Sequence, residues 1–499
     1  MRPNIVIFNP DQWRGDVLGH MGNPAARTPH LDQLVEKDAI SFSRAFCQNP
    51  VCTPSRCSFM TGWYPHVRGH RTMNHPLLPG EPCLLAELRR ADYEVWWGGK
   101  NDLVTDPAAY AECVDFRNRP NPAQADLHRD LSWRKVVEGR KDRSFFAGKL
   151  STSPGEAHYM DSDWCHVLDA CEYLRNREDN GKPFCLYLPL VYPHPPYGVE
   201  DPYFSAIDRS KLPRRIRGEL LDGKPRMTGK LRDALALGDR DEAWWDELRA
   251  TYYGMCGRVD AQAGLILDAL RDSGVYDDTA FFFFSDHGDY TGDYELVEKS
   301  QNLFEDCLVR VPFLVKPPAA EKCRAGVRDA MGELIDFPAT VYDLAGISPD
   351  YSHFGKSLRP LFEADETFRE AVFCEGGRLQ NENHCAETGS QHPDDLYAPR
   401  IWLERGDAVA HGKAVMCRDS RGKLVTRLYE RDEYYDLEKD PGETQNRIDD
   451  PACAAAVARL RALTLRFFVE TGDTVPHRQS PRDCKNDPLQ TPHGLGSGA

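Results

Sequence analysis

The sequence predicts an α/β protein with a large mixed sheet flanked by helices, and a small antiparallel sheet with a packed helix at its C-terminal end. Three features carry this. Short runs that are apolar on both faces recur through the first two-thirds of the chain, the pattern of central strands in a largely parallel sheet covered by helices. Segments with helical periodicity lie between those runs, which is the alternation of an α/β architecture. From about Arg369 the texture changes to short strand candidates joined by polar turns. The expected division is a larger domain over 1–368 and a C-terminal subdomain over 369–499.

Taken in order, Ile5–Phe8 reads as the first strand and Pro29–Lys37 as the first helix. Leu84–Arg90 is a helix feeding a strand at Glu94–Trp97, and further strands follow at Phe184–Val191, Ala280–Phe284 and Val311–Val315. A long helix over Asp246–Arg271 carries Leu265, Leu267 and Leu270 near its end, with Gly274 as its stop. The stretches Asp106–Gly155 and Phe204–Asp241 are rich in charge and poor in periodicity, so they read as long loops, which in a compact domain are often functional. Beyond Arg369, strands are expected at Ala371–Cys374, Lys413–Cys417, Leu424–Tyr429 and Glu433–Leu437. A final helix over Cys453–Val469 sets Val457, Leu460, Thr464 and Phe467 at helical spacing.

Composition narrows the function. Hydrophobic residues at 41% and charged residues at 28% suit a globular protein with a sizeable core. A net charge of −16 argues against nucleic acid or an anionic membrane surface as the main partner. No stretch approaches the roughly 20 apolar residues of a membrane-spanning helix. Met1-Arg2-Pro3-Asn4 leads straight into the first strand without a basic segment followed by an apolar one, so no signal peptide is read. The 16 irregularly spaced cysteines are then expected as free, buried thiols of a cytoplasmic protein. A homo-oligomer is compatible with all of this. An acidic chain that handles an anionic substrate must gather positive charge locally.

The residues that carry chemistry begin with Cys52-Thr53-Pro54-Ser55-Arg56, followed by Met60-Thr61-Gly62. A cysteine beside a proline turn at a helix start is expected to gain an electropositive environment that lowers its pKa. Asp11-Gln12 directly follows the first strand, and Ser285-Asp286-His287-Gly288-Asp289 directly follows the Phe281–Phe284 run. Open α/β sheets bind ligands at the carboxyl ends of their strands, and hard cations want oxygen ligands of the kind Asp11, Gln12 and Asp286 supply. Either pair alone is an ordinary loop tip; two pairs, each just past an apolar strand, point to a metal site. Positive charge is offered by Lys100 in Gly98-Gly99-Lys100, by Lys299 in Lys299-Ser300-Gln301-Asn302-Leu303-Phe304-Glu305, and by His194 in Tyr192-Pro193-His194-Pro195-Pro196-Tyr197.

These phrases resemble the sulfatase family, whose signature is Cys-x-Pro-x-Arg continuing to a Thr-Gly pair and whose second strand-end phrase is Ser-Asp-His-Gly. The resemblance also covers Asp336-Phe337-Pro338-Ala339-Thr340 and the run Tyr434–Glu443. It implies an alkaline-phosphatase-like fold. It implies that Cys52 is the precursor of a formylglycine, made by a formylglycine-generating or equivalent maturing enzyme, whose hydrated form attacks sulfur while Arg56 holds it. Asp11, Gln12, Asp286, His287 and the modified Cys52 would ligate the metal. Calcium is the family expectation, and Gln and His ligands also accept magnesium or manganese. Lys100 and Lys299 would bind sulfate oxygens, and His194 or Lys299 would protonate the leaving oxygen.

One position departs from the family pattern. The usual histidine two residues after the lysine is Asp102 here, which could act as a carboxylate base, pair with Lys100, or contact the leaving group. Asn74, 22 residues after Cys52, matches a substrate-contacting asparagine of related phosphonate monoester hydrolases. The expected activity is hydrolysis of a small aryl, alkyl or sugar sulfate, with a phosphonate monoester or phosphodiester hydrolase as the alternative. Lys100 favours the sulfatase and Asp102 pulls toward the alternative. A binding protein that had lost catalysis would be marked by loss of Cys52, Arg56 or a metal ligand, and none is lost.

Overall fold

The first apolar run forms strand β1 (Asn4–Asn9), which lies at the centre of the main sheet of the computed structural model. The structure describes residues 2–119, 143–152, 155–218, 223–389, 392 and 395–477. The other main-sheet strands are β2 (Ile40–Phe46), β3 (Glu94–Trp97), β4 (Phe116–Arg117), β5 (Phe184–Pro189), β6 (Thr279–Phe284), β7 (Phe313–Lys316) and β8 (Gly326–Glu333). Their spatial order is β8-β2-β7-β6-β1-β5-β3-β4. β1 runs parallel to both β5 and β6, with Ile7 beside Tyr187 on one side and Phe282 on the other. β7 is antiparallel to both its neighbours, which makes the sheet mixed. The central strands are buried apart from Asn4 at the start of β1, as runs apolar on both faces require.

Among the strands that escaped the sequence pattern, which include β4, Phe146–Lys149 and Tyr197–Val199, two did so because of their polar residues. β2 carries Ser41, Ser43 and Arg44, and β8 carries Arg328 and Asp329, so neither reads as an apolar run. The expected strand Val311–Val315 is divided at Pro312: Arg310–Val311 pairs with β2, and β7 begins only at Phe313. A proline has no N–H to give to a ladder, so the break falls there.

Helices pack on both sides of this frame: α1 (Pro29–Lys37), α2 (Cys52–Thr61), α3 (Leu84–Arg90), α4 (Ser162–Asn176), α5 (Arg226–Leu235), α6 (Glu242–Asp272) and α7 (Asp336–Ala345). α6 starts earlier than its periodicity suggested because the Asp241 carboxylate accepts the Trp244 N–H as an N-cap. α5 corrects the expectation of a loop over Phe204–Asp241. Its buried Met227, Leu231 and Leu235 are spaced four apart, a periodicity masked by the charged residues between them. In Asp106–Gly155, Pro107–Cys113 is helical, and residues 120–142 and 153–154 lie outside the described residues, as do 219–222.

The C-terminal sheet is antiparallel, in the order β9 (Val372–Gly376), β10 (Ala414–Arg418), β11 (Gly422–Arg427), β12 (Glu433–Asp436). Before β10 lies helix α8 (Ala398–Gly406), preceded by a stretch of which residues 390, 391, 393 and 394 are not described. The last helix, α9 (Ala454–Thr471), buries Val457 and Leu460 against Cys417, Leu424 and Tyr434. Its Phe467 stacks on Phe373 at 4.0 Å between ring centroids and meets Tyr64 at 4.6 Å, which ties this sheet to the body of the protein. Among the described residues, no helix is long and apolar enough to cross a membrane, and cysteines such as Cys47, Cys57 and Cys185 are buried free thiols.

Candidate active site

Four neighbouring parallel strands, β6-β1-β5-β3, end on the same side of the sheet, and each end hands over a polar residue. β1 leads to Asp11 and Gln12, β6 to Asp286 and His287, β5 to His194, and β3 to Lys100. The side chain of Asn9 donates to the Phe284 carbonyl at 2.9 Å, locking two of these ends together. Ser285 Oγ accepts the Trp13 N–H at 2.7 Å and donates to the His287 carbonyl at 2.9 Å. Gly99 has φ +124, and a side chain there would collide with the Pro189 carbonyl, to which the next residue, Lys100, donates its N–H at 2.8 Å. Only glycine permits that approach.

Cys52 is the first residue of α2, after the turn that follows β2. Ser55 Oγ donates to the Asp286 carbonyl at 2.6 Å and so fixes the helix start against the end of β6. One ligand atom from each of Asp11, Cys52, Asp286 and His287 lies within 4.8 Å of the others, and all four residues are buried. Cys52 Sγ is 3.3 Å from His287 Nε2 and 3.6 Å from Asp11 Oδ1. The donor set fits a divalent cation on two counts. Asp286 Oδ2 is buried with no hydrogen bond, although Arg56 Nη2 lies 2.9 Å away as an ion pair. His287 Nδ1 lies 2.9 Å from the Gly288 carbonyl, so it carries the proton and leaves the Nε2 lone pair for the cluster. Burial, with a smaller contribution from Lys299, pushes the His287 pKa down and keeps the ring neutral.

Arg56 lies between the two carboxylates, with Nη2 2.9 Å from Asp11 Oδ2 and 2.9 Å from Asp286 Oδ2, while Nη1 donates to Asn9 Oδ1 at 2.9 Å. Burial alone would raise the Asp11 pKa; Lys100, His194 and Arg56 outweigh it and hold the carboxyl well below the usual range. The expectation of an acidified thiol is corrected. Burial, aided by the Asp11 carboxylate, pushes Cys52 well above the ordinary cysteine value, and the helix start does not reverse that. The residue is thus a poor thiolate nucleophile as it stands.

Two lysines flank the cluster. Lys100 Nζ is 2.5 Å from Asp11 Oδ2, 2.9 Å from Asp102 Oδ2 and 3.5 Å from Cys52 Sγ. Of the three roles open to Asp102, the geometry displays the pairing with Lys100. Lys299 Nζ is 2.6 Å from Gln12 Oε1, 2.7 Å from Glu298 Oε1 and 3.1 Å from His194 Nε2. Burial opposes charge on Lys299, but Cys52, Glu298 and Asp11 outweigh it and hold the ammonium well above its ordinary pKa. These two cations supply the local positive charge that an acidic chain needs.

The sulfatase family model matches residues 3–347 of the chain. The chain belongs to the sulfatase family. It is 26% identical over 488 residues to an arylsulfatase of Clostridium perfringens, covering 93% of this chain and 94% of that one. It is 30% identical over 376 residues to an ulvan-active sulfatase of Formosa agariphila, covering 74% of this chain and 67% of that one. In fold it is similar to the phosphonate monoester hydrolase of Agrobacterium radiobacter, with a TM-score of 0.75 at 22% identity over 96% of this chain and 100% of that one. The protein is a sulfuric ester hydrolase with an alkaline-phosphatase-like fold.

Within this sulfatase the structure gathers Asp11, Gln12, Cys52, Arg56, Lys100, Asp102, His194, Asp286, His287 and Lys299 at one place. Asn74 stands apart: it is exposed and its side chain donates to the Ala386 carbonyl at 3.2 Å, although the adjacent Met73 accepts the Thr53 N–H at 3.4 Å. Sequence reasoning missed Asp289, Glu298 and Tyr197. Asp289 accepts Gln12 Nε2–H at 2.5 Å and the Tyr197 hydroxyl at 2.8 Å. Asp289 was visible two residues past His287, and Glu298 directly precedes Lys299; their partners, more than 90 residues away, were not.

Proposed function

We propose that this sulfatase hydrolyses a small aryl, alkyl or sugar sulfate at a formylglycine derived from Cys52, beside a divalent cation held by Asp11, Gln12, Asp286 and His287. One observation carries the reading: the four ligand atoms of Asp11, Cys52, Asp286 and His287 lie within 4.8 Å of one another, with a lysine on either side. The hydrated aldehyde of formylglycine supplies the oxygen nucleophile that the Cys52 thiol does not. A calcium, magnesium or manganese ion held there would supply Lewis acidity.

The chain's own residues do the rest. Lys100, 3.5 Å from Cys52 Sγ, binds a sulfate oxygen, and Asp102 anchors its ammonium at 2.9 Å. His194 Nδ1 lies 2.6 Å from the Pro195 carbonyl and so carries a proton, which leaves Nε2 to accept from Lys299. Of that pair, Lys299 has the proton to give, and it protonates the leaving oxygen. Arg56 keeps the two metal-facing carboxylates together against their mutual repulsion.

Protein made together with a formylglycine-generating enzyme should carry an aldehyde at residue 52, detected by mass spectrometry of the tryptic peptide, and Cys52→Ala should be folded and inactive. Parallel kcat/KM values for an aryl sulfate, a phosphodiester and a phosphonate monoester decide the substrate. A higher value for either phosphorus ester would overturn the sulfate reading.

A further inference from the structure

The start of α8 brings the C-terminal part of the chain to the site. The Tyr397 ring lies 6.4 Å from the His194 ring. Arg400, buried, places its guanidinium among three carboxylates: 2.7 Å from Glu387, 3.1 Å from Glu404 and 3.4 Å from Glu298 Oε2. Glu298 is buried too, and it meets Lys299 twice, through Oε1 to Nζ at 2.7 Å and through Oε2 to the backbone N–H at 2.8 Å.

Glu298 is held in this pose at a backbone cost. Its φ is +67, a left-handed conformation that a residue with a side chain seldom adopts. The strained backbone gives its N–H to the Tyr197 hydroxyl at 2.9 Å. Tyr197 donates to Asp289, Asp289 accepts from Gln12 Nε2, and Gln12 Oε1 accepts from Lys299 Nζ. Lys299 therefore closes a buried ring of polar contacts, in which its Nζ meets Glu298 Oε1 as an ion pair without a hydrogen bond, and Arg400 Nε lies 3.4 Å from Glu298 Oε2 in the same way. An ammonium on a flexible four-carbon stem needs such fixing. Its three near neighbours are Gln12, Glu298 and His194, and the His194 contact, at 3.1 Å, is the longest and the one a substrate oxygen would most readily replace.

We infer that Arg400 and Glu298 are positioning residues for the reaction: Arg400 clamps Glu298, and Glu298 holds the Lys299 ammonium where the leaving oxygen departs. This rests on the reading of Lys299 as the proton donor. In that step the oxygen nucleophile at residue 52 forms a bond to sulfur as the S–O bond to the leaving group breaks, the electron pair of the broken bond stays with the departing oxygen, and one N–H proton of Lys299 moves to that oxygen.

The test uses formylglycine-bearing enzyme and a series of aryl sulfates whose phenols range from strongly to weakly acidic. Arg400→Met should lower kcat by about tenfold or more with KM nearly unchanged, since displacement of a catalytic group by about 1 Å can cost up to about a hundredfold. The loss should grow as the phenol becomes less acidic, and Arg400→Lys should recover part of it. A loss equal across the series, or no loss, overturns the inference, because a merely structural role does not select by leaving group. Should Arg400→Met fail to fold, Glu298→Gln puts the same question, as it keeps the volume and removes the charge. If the wild-type enzyme prefers phosphonate esters, the sulfate reading fails. The positioning inference is then decided by the same comparison on aryl phosphonates.

Discussion

The Asp102 carboxylate lies 2.9 Å from the Lys100 ammonium, which is itself 2.5 Å from Asp11. Burial disfavours charge on Lys100, yet Asp102 and Asp11 outweigh it and hold the pKa well above the ordinary lysine value. The aspartate that stands where the family has a histidine is thus a counterion of the cation proposed to bind sulfate.

Removing that counterion should strengthen anion binding. In Asp102→Asn, Lys100 keeps Asp11 and has more charge to offer a sulfate oxygen. The pair is partly exposed, with side chains 17% and 23% accessible, so its energy is that of a weak surface pair. The inhibition constant of inorganic sulfate should fall by about fivefold or less, equivalent to at most about 1 kcal/mol. Unchanged or weaker inhibition would show that Asp102 does not moderate Lys100.

Arg56 answers for two buried carboxylates. Its removal in Arg56→Met leaves Asp11 and Asp286 close together without their shared cation. Loss of one partner of a buried ion pair costs about 3–5 kcal/mol. The metal-free variant should melt well below the wild type in differential scanning calorimetry, and added divalent cation should recover part of the difference. Equal melting temperatures would mean that the carboxylates need no bridge.

Metal removal gives an independent reading. Treatment with a chelator should lower the melting temperature, and readdition of calcium, magnesium or manganese should restore it. At one hundred times its Kd a ligand adds about 2.7 kcal/mol of stability. Asp286→Asn should abolish the response, because Asp286 contributes one of the four clustered ligand atoms. A wild-type protein indifferent to all three cations would exclude this centre.

His411 predicts a pH dependence of stability. Burial, reinforced by Arg378 and Arg400, pushes its pKa from 6.5 down to about 3. Below pH 6.5 the unfolded chain binds a proton that the folded protein refuses. The stability of the neutral ring is therefore fully present above pH 6.5 and lost progressively as pH falls toward 3. The slope is about 1.4 kcal/mol per pH unit. Melting temperatures between pH 7.5 and pH 5.5 should fall less in His411→Gln than in the wild type. Parallel curves would remove His411 from the account.

Local chemistry was legible in the sequence. Cys52, Arg56, Asp11, Gln12, Asp286 and His287 were readable because each lies in or directly after a regular element, and because strands buried on both faces write continuous apolar runs such as Phe281–Phe284. The strands β1, β3, β5 and β6, and with them the position of the site at their carboxyl ends, follow from that pattern.

Other features were settled only by folding. The helix Arg226–Leu235 and the strands β2 and β8 take their place by packing that overrides their polar residues. The pKa of Cys52 depends on burial and on Asp11, 41 residues away, so a helix start read locally gave the wrong direction. Arg400 reaches Glu298 across about a hundred residues of chain. Periodicity and motif are short-range and survive in one dimension. Desolvation and charge pairing depend on distances that exist only once the chain has closed on itself, and that is where the partners of Asp102, Glu298 and Lys299 were decided.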